Sequence, residues 1–343
     1  MKRFVCGLAV IISMFSISIG QVHAAEGLGF EISGFVDSSY SVDDNMDTNT
    51  FGLDQIEINI TKKITDWASL RFDLQHCPNT GQTACAGSGG DDSIEQGYLT
   101  LTAPVANGVT FTFGKFNAPI GFELLDAPDM YQYSHALVFD NGLPTNLTGL
   151  MASTSLSEMI DISVYVVNGW DNNPDGNKNK TIGGRIGITP MKDINVGFSA
   201  ISGDDSDVAG ENLTVFDVDG TITVIPNLTV GLELNWGTED KGSTTGTDGD
   251  WFGFLVMGHY DYSDWGGITL RYDYFNDEDG ARLGTANNTQ QAFTIAPTFV
   301  IADGFGALFE YRHDFSDQSV FTKANGTTAK NNDTFAFEMT YAF

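Results

Sequence analysis

From residue 30 to the last residue the chain repeats one pattern, segments of about 8–13 residues in which apolar and polar side chains alternate. Ile56, Ile58 and Ile60 alternate with Gln55, Glu57 and Asn59, and Leu70, Phe72 and Leu74 alternate with Arg71, Asp73 and Gln75. Ile268, Leu270, Tyr272 and Tyr274 interleave with Thr269, Arg271 and Asp273. The chain then stops on Phe335, Phe337, Met339, Tyr341 and Phe343, set between Ala336, Glu338, Thr340 and Ala342. Successive side chains of a strand point to opposite faces, so each segment predicts a β-strand with one apolar and one polar face. No stretch of helical period has comparable strength.

The connections decide which way those faces look. Short links fall near 63–66, 104–107, 157–158, 190–193, 226–227, 263–266 and 302–303. Longer ones alternate with them near 41–50, 77–93, 115–147, 169–179, 203–211, 238–249, 276–289 and 316–332. Seven short and eight long links join sixteen strands, with fourteen or eighteen left open by the boundaries. A Greek-key sandwich has no reason to sort its loops by length. Tight turns on one rim and long loops on the other predict an all-β transmembrane antiparallel barrel, apolar face to lipid and polar face to a lumen. The terminal aromatic strand, with Tyr341 and Phe343 at its end, would pair with the first strand, abolish the sheet edges and serve recognition by the barrel-assembly machinery. Trp67, Tyr98, Trp170, Trp236, Trp251 and Trp265 fall near strand ends, where interfacial girdles are expected.

Composition narrows the setting. Forty-five Asp and Glu stand against 16 Lys and Arg, a formal charge of −29, which excludes a general nucleic-acid binder. Aromatic residues at 12% argue against an acidic disordered chain. Met1-Lys2-Arg3 followed by an apolar segment and Val22-His23-Ala24 predicts a secretory signal over residues 1–24, cleaved near Ala24, ahead of a single barrel domain over 25–343 in an outer membrane. Its removal takes away two basic and no acidic residues, so the charge moves to −31. In an oxidising compartment Cys77 and Cys85 are expected to staple a polar loop as a disulfide.

The stretch Gly114-Lys115-Phe116-Asn117-Ala118-Pro119-Ile120-Gly121-Phe122-Glu123, then Tyr133-Ser134-His135, Phe139 and Pro144-Thr145-Asn146-Leu147-Thr148-Gly149, resembles the OmpL-like outer-membrane porins, β-barrel porin-2. In that family such a Gly-Lys/Arg-Phe strand end leads into a long segment that returns to the barrel near a Thr-Gly pair. The resemblance extends over the mature chain in layout and is specific over roughly 110–150. It implies a channel-forming barrel and carries no defined substrate.

No Gly-x-Ser-x-Gly elbow, P-loop or zinc motif occurs, so no catalytic residue, cofactor or metal centre is expected and no enzyme is indicated. Asp171-Asn172-Asn173-Pro174-Asp175-Gly176 matches the opening of a calcium loop, but Ile182 stands where a bidentate Glu is needed, leaving at most weak Ca²⁺ or Mg²⁺ binding. The polar strand faces carry the functional signal. Acidic positions outnumber basic ones there twelve to four, and Arg71, Asp73, Arg185, Glu233, Arg271, Asp273, Glu310 and Arg312 are the expected pore lining. The spacing of Arg71/Asp73, Arg271/Asp273 and Glu310/Arg312 makes them neighbours on one face, either as wall-holding ion pairs or as a transverse field. Residues 115–147 are too long for an ordinary turn and too apolar for a solvated loop. They are expected to fold into the barrel, with Glu123, Asp126, Asp129 and Asp140 facing the path. The chain therefore reads as a water-filled, cation-preferring porin for small hydrophilic solutes, in contact with outer-membrane lipid and lipopolysaccharide and compatible with a homotrimer. The alternatives are a non-conducting structural or adhesive barrel with acidic, divalent-cation-binding loops, and a soluble secreted β protein.

Overall fold

The computed structural model describes residues 23–25, 29–77, 94–204 and 211–343. Sixteen antiparallel strands form a closed barrel: β1 (Phe30–Asp43), β2 (Thr48–Thr65), β3 (Ala68–His76), β4 (Ile94–Ala103), β5 (Val109–Asn117), β6 (Asn146–Ser155), β7 (Ile160–Val167), β8 (Thr181–Met191), β9 (Ile194–Asp204), β10 (Asn212–Ile222), β11 (Leu228–Glu239), β12 (Gly249–Ser263), β13 (Gly266–Asp277), β14 (Asn288–Ala302), β15 (Phe305–Ser316) and β16 (Asn331–Ala342). Each strand pairs with its sequence neighbours, and β16 pairs with β1. At that seam Phe343 N donates to Gly34 O at 2.9 Å and Gly34 N to Phe343 O at 3.1 Å. A Cβ on Gly34 would lie 2.2 Å from Glu57 O, so only glycine lets the terminal residue, β1 and β2 meet so closely.

The sequence alternation has its expected physical outcome. Phe113, Ile182, Phe216, Leu270 and Phe309 are exposed on the outer surface, whereas Glu57, Asp73, Arg185, Glu233, Arg271 and Asp273 are buried on the inner one. With lipid outside, the exposed apolar belt is the favourable surface. All seven short links are turns of two to five residues; the Asp303–Gly304 turn uses Gly304 at φ +71°, a conformation glycine adopts freely.

Three sequence expectations need correction. The long link near 41–50 is only residues 44–47, because the β1–β2 ladder runs out to Asp43↔Thr48. The long segment is 118–145, since Lys115 lies in β5 and Asn146 opens β6. Trp67, Trp236 and Trp265 do face outward, but Trp251 turns inward and donates from Nε1 to Asn235 Oδ1 at 3.0 Å. Tyr98 and Trp170 pack against the interior cluster that includes Trp251, so these three rings belong to the lumen and not to a girdle. Of the expected signal segment only His23 and Ala24 are described, in a three-residue strand (His23–Ala25) beside Phe30–Ile32. Cys85, and with it the Cys77–Cys85 staple, lies outside the described residues.

Candidate functional site: a loop seated in the lumen

Two β-bulges shape the inner wall. Between β1 and β2 the register passes from Asp37↔Gln55 to Ser38↔Leu53, leaving Asp54 as an extra residue. Between β3 and β4 it passes from Asp73↔Gln96 to Leu74↔Ile94, leaving Glu95 extra. A bulge re-aims a side chain that strict alternation would send outward. Asp54 and Glu95 are each 1% exposed and lie beside the inward Gln55 and Gln96. Alternation alone missed both carboxylates, because one inserted residue carries no mark in a hydropathy pattern.

The 118–145 segment folds against this wall. Its base is closed by Ala118 N to Thr145 O at 2.8 Å. Its return is fixed by Asp171 Oδ1, which accepts from Thr145 N, Thr145 Oγ1 and Asn146 N at 2.8, 3.0 and 2.7 Å. Asp171 therefore serves as a loop brace, and Asp175 accepts from Asn177 N at 2.9 Å and pairs with Lys180, so the calcium-loop match is bonded as a turn.

Irregular backbone placed inside a barrel must find partners for its N–H and C=O groups. The expected pore-lining side chains supply them. Glu233 Oε2 accepts from Phe122 N at 2.8 Å; Glu310 Oε2 accepts from Tyr133 N at 2.8 Å and Ser134 N at 3.1 Å; Asp273 Oδ1 accepts from Leu137 N at 2.9 Å. In the opposite sense Arg271 donates to Ser134 O and His135 O at 2.6 and 3.1 Å, and Arg312 donates to His135 O at 2.5 Å. Carboxylates hold the loop's donors and guanidinium groups hold its acceptors. A short helix α1 (Leu137–Gly142) follows, seated on β11 to β14, and Arg282 Nε from the 278–287 loop donates to Asn141 O at 2.8 Å.

Glu123 is the hinge of this arrangement. Its Oε1 accepts from Arg271 Nη1 and Gln132 Nε2, both at 2.7 Å, and its Oε2 accepts from Ala136 N at 2.7 Å. It is buried and faces no path, contrary to expectation, because folding the loop back on itself spends both its oxygens. Asp129 and Asp140 are exposed, while Asp126 is half-buried against Glu57 and Glu95. His135, stacked on Phe139 at 4.0 Å between centroids, donates from Nε2 to Leu124 O at 2.8 Å. Burial pushes its pKa below the ordinary histidine value; the Glu123 carboxylate pulls the other way and Arg271 and Arg312 push it further down.

Of the spaced pairs, Arg71/Asp73 and Arg271/Asp273 are ion pairs at 2.9 and 3.1 Å. Glu310/Arg312 is not, because the loop claims Glu310 and Arg312 turns to Asp314 at 2.8 Å. Arg185 instead meets Asp219 across two strands, with Nη2 to Oδ1 at 2.7 Å. The apolar part of the loop also finds partners that the alternation did not reveal. Ile120, Leu137, Val138 and Leu143 cluster with inward Leu147, Met151, Tyr165, Val167, Ile201, Leu213, Val215 and Phe275. The sequence signal for these was unbroken apolar runs such as Val164 to Val167, which fit strands buried on both faces.

A closed sixteen-stranded barrel with an apolar outer belt, a polar wall and a loop seated on that wall is an outer-membrane barrel of the porin type. The chain belongs to the family described as beta-barrel porin-2, OmpL-like, which matches residues 29–343. No curated protein matches it. Among solved structures, the outer membrane channel DcaP of Acinetobacter baumannii superposes with a TM-score of 0.67 at 14% identity, covering 92% of this chain and 98% of that one. OmpT, an outer membrane protein of Vibrio cholerae, gives 0.65 at 13% identity with 94% and 100% coverage, and is also described in a trimer form. An anion-selective porin from Comamonas acidovorans gives 0.64 at 10% identity, covering 92% of this chain and 99% of that one. At these identities the likeness establishes the fold and, with the family, an outer-membrane location.

Proposed function

We propose that the barrel is a passive diffusion channel for small hydrophilic solutes, narrowed by the 118–145 loop and preferring cations. The observation that carries the constriction is the reciprocal seating of the loop, its N–H groups on Glu233, Asp273 and Glu310 and its carbonyls on Arg271 and Arg312. The cation preference rests on the carboxylate excess of the inner wall and the exposed Asp129 and Asp140, since fixed carboxylates favour cations in a pore. The sign of selectivity is this chain's own property, as one structural neighbour is anion-selective by its description. A homotrimer, lipid and lipopolysaccharide against the apolar belt, and assembly through the Tyr341–Phe343 end belong to the same reading.

A planar bilayer tests it. Open-channel conductance under a salt gradient should give a reversal potential of cationic sign, and deleting 122–140 should raise single-channel conductance several-fold. An anionic sign would refute the charge argument, and unchanged conductance would remove the constriction. One observation favours a second reading, a plugged and non-conducting barrel: the loop's apolar residues join a continuous cluster with inward residues of β6 to β10. A wild-type barrel that conducts only after the deletion would select that reading.

A further inference from the structure

Most of the loop is fastened by complementary hydrogen bonds and the Glu123–Arg271 ion pair, but at one point it is laid acid against acid. Asp126 meets Glu57 of β2 and the bulge residue Glu95 of β4, one carboxylate oxygen from each lying within 4.8 Å of the others. Glu57 and Glu95 are each 1% exposed, so water screens little of the repulsion. Arg71, a cation of the neighbouring strand, directs Nε to both oxygens of Asp73 at 2.9 Å. Three amides reach the two wall carboxylates, Asn59 Nδ2 on Glu57 Oε1 at 2.7 Å, Gln55 Nε2 on Glu57 Oε2 at 3.5 Å and Asn117 Nδ2 on Glu95 Oε1 at 2.8 Å. Two further oxygens are different. Buried Glu95 Oε2 and Asp126 Oδ1 have no hydrogen-bond partner among the described residues. A buried oxygen without a donor is costly and rare unless something else meets it.

We propose that Glu57, Glu95 and Asp126 form a site for a hard divalent cation, Ca²⁺ by preference, that clips the inserted loop to the β2–β4 wall. Ca²⁺ binds oxygen at about 2.3–2.6 Å, so two ligand oxygens on one ion sit up to about 5 Å apart, the separation found here. An all-oxygen donor set excludes the softer metals, and a largely dehydrated, irregular site suits Ca²⁺ better than Mg²⁺, which gives up its waters reluctantly. Asn59 and Asn117 act as the orienting shell for the ligand carboxylates. The bulge at Glu95 is what brings the second wall ligand inward, and the loop supplies the third, so the site exists only when the loop is seated. It does not depend on conduction.

The test is calorimetric titration of the purified full-length barrel in detergent with CaCl₂ at pH 7 and fixed ionic strength, reversed with EDTA. Heat-modifiable gel migration verifies barrel closure in every variant. Wild type should take up one equivalent of Ca²⁺ per chain. Asp126→Asn and Glu95→Gln should each weaken that site at least about tenfold, as loss of a ligand does. The control Asp240→Asn/Asp248→Asn, in a distant outer loop, should leave it intact. Wild type that takes up no stoichiometric Ca²⁺ would overturn the site, with a shared proton then the neutralising species. Binding that survives both Asp126→Asn and Glu95→Gln, or falls with the control, would overturn it equally, assigning the ion to the outer loops. Glu57→Gln repeats the test from the wall should either variant fail to close.

Discussion

The inserted loop meets the wall in two chemically opposed ways. Against β11 to β15 the charged wall groups that touch the loop meet complements: Glu233, Asp273 and Glu310 receive backbone N–H groups, while Arg271 and Arg312 receive carbonyls, and Arg271 also holds Glu123. Against β2 to β4 the loop brings Asp126 to Glu57 and Glu95, and the nearby cation Arg71 directs its Nε to Asp73. The first contact closes on itself when the protein folds. The second is left with surplus negative charge and needs something from outside the chain. The same loop can thus be held permanently on one side and conditionally on the other.

The largest effect should come from breaking the self-contained side. Arg271→Ala leaves Glu123 and Asp273 buried without their partner, a loss of about 3–5 kcal/mol for a buried pair broken on one side. A lower thermal midpoint together with conductance approaching that of the 122–140 deletion is the expected result; a variant unchanged in both would mean that apolar packing alone seats the loop. The conditional side should respond more mildly and in opposite directions. In EDTA, Asp126→Asn removes a repulsion and should stabilise the barrel by about 1 kcal/mol, whereas in millimolar Ca²⁺ the wild type should be the more stable. Thermal unfolding with and without chelator reads both signs, and an order that does not invert would contradict the contrast.

Acidity probes the self-contained side from within. Because burial lowers His135 below its unfolded value, the seated loop binds fewer protons than the free one there. Its contribution is full above the ordinary histidine pKa of about 6.5 and is lost as pH falls through the lowered folded value. Single-channel records should therefore be steady at pH 8 and show wider fluctuations below pH 6, and His135→Asn should flatten that dependence. Fluctuations that persist unchanged in His135→Asn would place the sensitivity elsewhere. The smallest change is expected from Asp129→Asn/Asp140→Asn, both exposed: stability within about 0.5 kcal/mol of wild type and a reversal potential moved a few millivolts toward the anionic side. A shift toward the cationic side would show that these carboxylates do not face the permeating ions.

Much of this was legible in the chain. Period-two alternation and the sorting of links by length gave the strand number and the rim on which the long loops lie, because both are local properties of a strand and its turn. Arg71/Asp73 and Arg271/Asp273 were readable as pairs since residues two apart share a face. The partner of Arg185 was not, because Asp219 is two strands away and its height depends on register. Glu310 and Arg312 share a face as their spacing implies, but whether they pair was not readable, because the loop that claims Glu310 lies about 180 residues away in sequence.

What the amino-acid order alone determined is the closed barrel, its lipid-facing belt, its acidic polar face and the presence of one long segment too apolar to stay in water. These follow from neighbour-by-neighbour constraints that any strand must obey. What only the tertiary structure decided is where charge meets charge. Two single-residue bulges turned Asp54 and Glu95 inward, and the docking of residues 118–145 spent Glu123 on Arg271 while leaving Asp126 among carboxylates. Electrostatic partnership depends on through-space distance and burial, and those quantities come into being only when the wall closes and the loop is laid against it.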